Sequence, residues 1–277
     1  ENSHASTALS WAAGIARGHT LRGETGRSTV AVIGDGALTG GMAWEALNSL
    51  GDSRDRVVVI VNDNGRSYAP TIGGLARKLD RIRIDRRYEQ FLGWGKRTFE
   101  NRGRLRNFAY FTVMHGKRAL KGLLTEAGMF ADLGIKYIGP IDGHNLPLVE
   151  RALIQAKEFA GPVMVHVLTE KGRGYSPAEQ DDADRFHAVG RIHPETGLPI
   201  EASRFGWTSV FADEIVEIGR NHQNLVAITA AMLAPVGLAR FAEEFPDRTV
   251  DVGIAEQHAV TSAAGLAFGG LHPVFAV

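Results

Sequence analysis

The chain has 277 residues, 31 basic against 31 acidic side chains, 44% apolar residues and no cysteine. That size suits one large domain, or one domain with part of another, and the balanced charge gives no electrostatic argument for nucleic acid or an acidic membrane. Disulfides and thiolate metal sites are excluded, a reducing cytoplasm is the expected location, and no apolar run is long enough to span a bilayer.

Small and apolar residues recur at helical spacing from Ser6 to Arg17, with a glycine-rich exit near Gly18 and Gly23. A strand follows at Val30 to Ile33, then a Gly34-Asp35-Gly36 turn, a helix from about Gly41 to Leu50, and a strand from Val57 to Val61 ending at Asn62-Asp63-Asn64. Strand, helix and strand over this distance predict a right-handed βαβ unit. The stretch from Ala76 to Arg106 mixes Arg and Lys with Asp and Glu and holds Tyr88, Phe91, Trp94 and Phe99. In a neutral chain it reads as a solvated amphipathic excursion rather than a nucleic-acid surface. Gly116 to Leu133 reads as a helix, Lys136 to Ile138 as a short strand, Gly139 to His144 as a turn-rich loop, Leu148 to Phe159 as a helix and Val163 to Leu168 as a buried strand. Lys171-Gly172-Arg173-Gly174-Tyr175 stands at the carboxyl end of that strand. A polar, proline-containing linker follows, from Ser176 to Phe205.

A second βαβ pattern begins near Trp207. It has a helix to Arg220, strands at Leu225 to Thr229 and Thr249 to Val252, and a helix from about Val236 to Phe245 between them. Gly253-Ile254-Ala255-Glu256-Gln257-His258 then opens an alanine-rich helix. The chain begins without Met inside a polar segment and stops inside the apolar run Pro273 to Val277, so it reads as an internal fragment of a longer protein.

In parallel sheets, ligands sit beyond the carboxyl ends of the strands. Gly-Asp-Gly alone is most often only a chain reversal. Paired with Asn62-Asp63-Asn64 after the neighbouring strand, it becomes a candidate for one hard cation held from two sides by oxygen donors. Such a site suits Mg²⁺ shared with a phosphate group. Glu256 stands in the first turn of a helix, where a carboxylate is favoured for structural reasons alone.

Taken in order, these motifs resemble thiamine-diphosphate enzymes of the transketolase superfamily, and within it the 1-deoxy-D-xylulose-5-phosphate synthase family. The resemblance rests on Ser3 to Thr7, Gly34 to Asn48, Asn62 to Asn64, Gly139 to His144, Lys171 to Tyr175, Phe186 to Val189, Phe245 to Arg248 and Asp251 to Val260. It implies an α/β parallel-sheet thiamine-diphosphate-binding fold. Residues 1–175 would be a diphosphate-binding domain, 176–205 a linker, and 206–277 the start of a pyrimidine-binding domain. It also implies that Asp35, the Asn64 side chain and the Arg66 carbonyl hold Mg²⁺. Gly36 and Ala37 would approach the diphosphate through their backbones, and Ser3, His4, Ala5 and Tyr175 would line the cofactor. Asn64 would touch the cofactor as well. Glu256 would be the activating carboxyl, bonded to the pyrimidine nitrogen, and His187 would serve the substrate by proton transfer or hydrogen bonding. His144 would anchor a turn, and His258 would be a hydrogen-bonding helix residue.

The activity implied is the decarboxylative condensation of pyruvate with D-glyceraldehyde 3-phosphate. It gives 1-deoxy-D-xylulose 5-phosphate and CO₂, for isoprenoid, thiamine and pyridoxal synthesis, in a homodimer. Three alternatives stay open: transketolase, the decarboxylating subunit of a 2-oxo acid dehydrogenase, and an inactive fragment that binds only Mg²⁺-diphosphate. Many relatives carry Gly where Ser3 stands, which weakens the case for close backbone approach there.

Overall fold

The computed structural model describes residues 4–24, 26–74, 76–77, 79, 128–200 and 206–277. Almost all of the Arg- and Lys-rich excursion, and most of the helix expected from Gly116, lie outside the described residues.

The first sheet is formed by β1 (Thr29–Gly34), β2 (Val57–Asp63), β3 (Lys136–Asp142) and β4 (Val163–Leu168). All its pairs are parallel, in the order β1-β2-β4-β3. The two central strands, β2 and β4, read as almost unbroken apolar runs because helices cover both faces. On one face lie α1 (Ala8–Leu21), α3 (Gly41–Gly51) and α4 (Gly128–Asp132). Leu9, Ala12 and Ala16 of α1, Leu47 and Leu50 of α3, and Phe130 of α4 pack there against Val57, Val59 and Val61. On the other face lies α5 (Leu146–Lys157), whose Ala152 and Ala156 meet Val163 and Val165. The Asn145 side chain caps α5 by accepting the Leu148 N–H at 3.3 Å.

A polar chain crosses this core. His166 on β4 is bonded through Nε2 to Asp63 Oδ2 on β2 at 2.8 Å, and through Nδ1 to the Tyr137 hydroxyl on β3 at 2.6 Å. Asp63 is 0% and His166 1% exposed, so each polar atom depends on its bonding partners rather than on water.

The second sheet joins β5 (Leu225–Thr229), β6 (Thr249–Asp251) and β7 (His272–Phe275) in the parallel order β6-β5-β7. The central strand, β5, is buried at every position. The helices α7 (Trp207–Asn221) and α8 (Ala239–Glu244) cover one face through Ile215, Val216 and Phe241. On the other face, α9 (Glu256–Phe268) seats Ala259 against Val226 and Ile228. No helix among the described residues is long and apolar enough to cross a membrane.

Several local expectations are corrected. The loop expected at Gly139 to His144 is strand as far as Asp142, with pairing to β4 resuming at Ile141 opposite Val167 after an irregularity. Gly139 makes this passage feasible: its φ is +133°, and a Cβ there would stand 2.6 Å from the His166 carbonyl oxygen. The Gly-Asp-Gly turn is a single helical turn, α2 (Asp35–Leu38). The helix expected from Val236 begins only at Ala239, because Gly237 adopts φ +81° and packs against the Thr208 carbonyl. Among its described residues the linker contains one short helix, α6 (Ser176–Glu179).

Candidate cofactor site at the strand ends

Parallel pairing of β1 with β2 sets Gly34 opposite Asn62, so the two turns leave the sheet side by side. The buried Asp35 carboxylate accepts the Asn64 N–H at Oδ1 (3.2 Å) and the Thr71 hydroxyl at Oδ2 (2.7 Å). Asn64 Oδ1 in turn accepts the Arg66 N–H at 3.2 Å. Asp35, Asn64 and Arg66 therefore meet in one hydrogen-bonded turn. The loop that carries the last two is closed by Thr71 N–H on the Gly65 carbonyl at 2.9 Å. The Asp35 carboxylate and the Asn64 amide oxygen are hard donors, and with the Arg66 carbonyl they would make a set suited to Mg²⁺ rather than to a soft metal. Among the described residues no cluster of three or more His, Cys, Asp or Glu side chains competes for that role.

Behind this turn the backbone runs close to its neighbours. A Cβ on Gly36 would lie 3.1 Å from Ile254 Cδ1. Ser6 holds the left-handed conformation (φ 73°), uncommon for a residue with a side chain. Its hydroxyl donates to the Ala37 carbonyl at 2.6 Å, which ties the N-terminal segment to α2. A cavity of about 460 Å³ opens there, lined by His4, Ala5, Ser6, Trp11, Gly34 and Ala37 among others. Ser3 lies outside the described residues.

The second sheet closes the seam. Asp251 Oδ1 accepts the N–H groups of Ala231 (2.8 Å) and Gly253 (2.9 Å), fixing the turn that leads into α9. Gly253 adopts φ +67° against Ile72, and the Ile254 side chain reaches toward Gly36. At the start of α9, Gln257 Nε2 lies 2.9 Å from His4 Nε2. Next to it the half-buried Glu256 carboxyl makes no hydrogen bond or ion pair among the described residues. His258 is exposed and likewise takes no hydrogen bond there, which corrects the expectation of a bonded helix residue. His144 does anchor its turn: its Nε2 accepts the Glu170 N–H at 2.9 Å.

The linker folds back onto the loop that carries Asn64 and Arg66. The Tyr175 hydroxyl donates to the Pro194 carbonyl at 2.8 Å and its ring meets Phe186 edge-on, so this phenol is engaged by the linker. The His187 ring lies 4.2 Å from the Tyr68 ring, centroid to centroid. Its Nδ1 is 2.6 Å from Lys171 Nζ, which also donates to the Ser67 carbonyl. Arg66 Nη2 donates to the Ala183 carbonyl at 2.8 Å. Burial, then the Arg66 charge, lowers the Lys171 pKa to about 8 against the pull of Asp184 and Asp35. Burial, then the Lys171 charge, pushes the His187 imidazole below its ordinary value, while Asp184 opposes.

Thr71, Ser6 and Gln257 belong to this constellation; Thr71 stands in no motif, and Ser6 and Gln257 stand in motifs that assign them no role. Lys171 and His187 were each visible as parts of motifs, but the contacts of Lys171 with His187 and with Ser67 were not.

Residues 1–169 match the family model described as 1-deoxy-D-xylulose-5-phosphate synthase, and residues 203–277 match that of the transketolase pyrimidine binding domain. The chain is 60% identical over 278 aligned residues to 1-deoxy-D-xylulose-5-phosphate synthase 2 of Streptomyces coelicolor, covering all of this chain and 43% of that protein. It is 59% identical over 279 residues to the enzyme of the same name from Kitasatospora griseola, covering 44% of it. Against 1-deoxy-D-xylulose-5-phosphate synthase of Thermobifida fusca the identity is 57%, again over 44% of that protein. The chain thus spans less than half the length of these curated relatives.

Proposed function

Since the chain belongs to the 1-deoxy-D-xylulose-5-phosphate synthase family, we propose that it forms the cofactor-holding part of such a synthase. The whole protein would condense pyruvate with D-glyceraldehyde 3-phosphate, acting as a homodimer in the cytoplasm. Residues 1–175 would serve as the diphosphate-binding domain, 176–205 as the linker and 206–277 as the start of the pyrimidine-binding domain.

The observation that supports this reading best is a pair of features on the two sheets that the Gly36–Ile254 and His4–Gln257 approaches join. On one side is the Asp35–Asn64–Arg66 turn. On the other is Glu256, a half-buried carboxyl with no partner among the described residues. A half-buried carboxyl without such a partner, on the helix whose entry turn brings Ile254 toward Gly36, supports a ligand-facing role for Glu256. Thiamine diphosphate, when bound, would supply the carbanion-stabilising chemistry that side chains lack.

Each group of the chain would then have its own task. The Asp35 carboxylate, the Asn64 amide oxygen and the Arg66 carbonyl would hold Mg²⁺ against the diphosphate. Gly36 and Ala37 would let the main chain approach it. Ser3, His4 and Ala5 would close the cavity on the other side, and Tyr175 would hold the linker beside it. Glu256 would hydrogen-bond the pyrimidine nitrogen and so orient the ring. His187 would face the substrate.

Calorimetry of thiamine diphosphate with this chain, with and without Mg²⁺, tests the binding half. Metal-dependent heat supports it, and heat indifferent to metal counts against the site. A product assay on the full-length protein tests the reaction. Formation of 1-deoxy-D-xylulose 5-phosphate from pyruvate and glyceraldehyde 3-phosphate is expected, and a preference for xylulose 5-phosphate as donor would point to transketolase instead.

A further inference from the structure

We infer that Lys171 is a positioning residue that fixes the tautomer and direction of the His187 imidazole, holding Nδ1 as acceptor and leaving Nε2–H as the donor presented to a substrate oxygen. The contact itself dictates the direction. A lysine ammonium has three donors and no lone pair, so at 2.6 Å from Lys171 Nζ the only productive state of His187 Nδ1 is the unprotonated one. A neutral imidazole carries a single N–H, which must then reside on Nε2.

The lysine is in turn pinned. Its Nζ also donates to the Ser67 carbonyl, inside the loop that carries Asn64 and Arg66. His187 is held on its other sides too. Its ring packs against Tyr68 with the planes tilted by 55°, and its backbone N–H donates to Asp184 Oδ1 at 3.2 Å. Asp184 faces the pair and partly offsets the cation. Nε2 has no partner among the described residues, and the ring is exposed. The loop of Asn64 and Arg66, the end of β4 and the linker are thus joined at one ammonium group. Disturbing the loop should turn the ring.

This narrows the task of His187 from two options to one. A neutral Nε2–H lends a hydrogen bond to a carbonyl or alkoxide oxygen, and imidazolium is disfavoured beside a cation. The assignment to a substrate oxygen rests on the function proposed above; the tautomer does not.

The test is a long-range ¹H–¹⁵N correlation spectrum of the ¹⁵N-histidine-labelled chain near neutral pH, with His187 identified by its loss in His187→Gln. The wild type should show a protonated Nε2, together with an Nδ1 shifted by a cationic donor. In Lys171→Met that Nδ1 shift should vanish, and the signal should move to the averaged tautomers of a free imidazole. A protonated Nδ1 in the wild type, or an unchanged His187 pattern in Lys171→Met, overturns the inference. If Lys171→Met fails to fold, the wild-type spectrum decides alone. Thiamine diphosphate titrated into the same wild-type sample keeps the two readings apart: absent metal-dependent binding refutes the proposed function and leaves the tautomer result standing.

Discussion

Thr71→Val tests the cation turn without touching any of its proposed ligands. The substitution keeps the shape of the side chain and deletes the hydroxyl that donates to Asp35 Oδ2 at 2.7 Å. Asp35 Oδ1 keeps the Asn64 N–H, so the carboxylate retains one of these two anchors and loses the shorter. For the unliganded chain, the loss is one hydrogen bond to a charged acceptor, about 1.5–3 kcal/mol. For the liganded chain, the relevant precedent is removal of a partner that orients a metal-ligating carboxylate. That costs roughly 10–100-fold in metal affinity, or about 1.4–2.8 kcal/mol at 1.4 kcal/mol per decade. The assay is calorimetry of thiamine diphosphate at a series of Mg²⁺ concentrations, with urea unfolding of the metal-free chain in parallel. The Mg²⁺ midpoint should rise by one to two decades while the chain remains folded. A midpoint that stays in place in a folded Thr71→Val chain would refute the idea that this hydroxyl aims the carboxylate at a cation.

In the full-length protein, Glu256→Gln should abolish turnover and leave metal-dependent cofactor binding largely intact; product assay and calorimetry on one preparation check both, and undiminished turnover would remove Glu256 from the chemistry. Lys171 gives a pH dependence of definite sign. Its folded pKa is lowered from 10.5 to about 8, so between those values the unfolded chain binds more protons, and stability should rise with pH across that window. Urea midpoints measured through it should lose that contribution in Lys171→Met. Gly51→Ala should destabilise although it lies in a helix, where Ala is favoured over Gly by about 1 kcal/mol. The new Cβ would collide with the Leu133 carbonyl oxygen, and forcing such an overlap costs roughly 1–3 kcal/mol; a raised urea midpoint would contradict this.

The parallel strands were legible because buried β runs such as Val57 to Val61 leave few other readings. The meeting of Asp35 with Asn64 followed from the same logic, since adjacent parallel strands bring their carboxyl ends together. The strand through Gly139 and Pro140 was not legible. Both residues signal a turn locally, and only the close approach to His166 explains why the chain runs on as strand. The start of α8 was misplaced for a related reason: helical spacing at Val236 says nothing of how tightly Gly237 must pack on Thr208. The contacts of Thr71 and Gln257 were missed because their partners lie 36 and 253 residues away along the chain. No local pattern encodes such a contact.

The contact between His4 and Gln257 also bears on biosynthesis. Within this chain His4 leaves the ribosome about 250 positions before Gln257, the residue it meets. At translation rates of roughly 5–20 residues per second, the nascent polypeptide would spend many seconds with the first sheet collapsed and its ligand cleft gaping on one side. Cofactor capture at this cleft would then follow the docking of the second sheet, and could not serve as the template on which the first sheet folds.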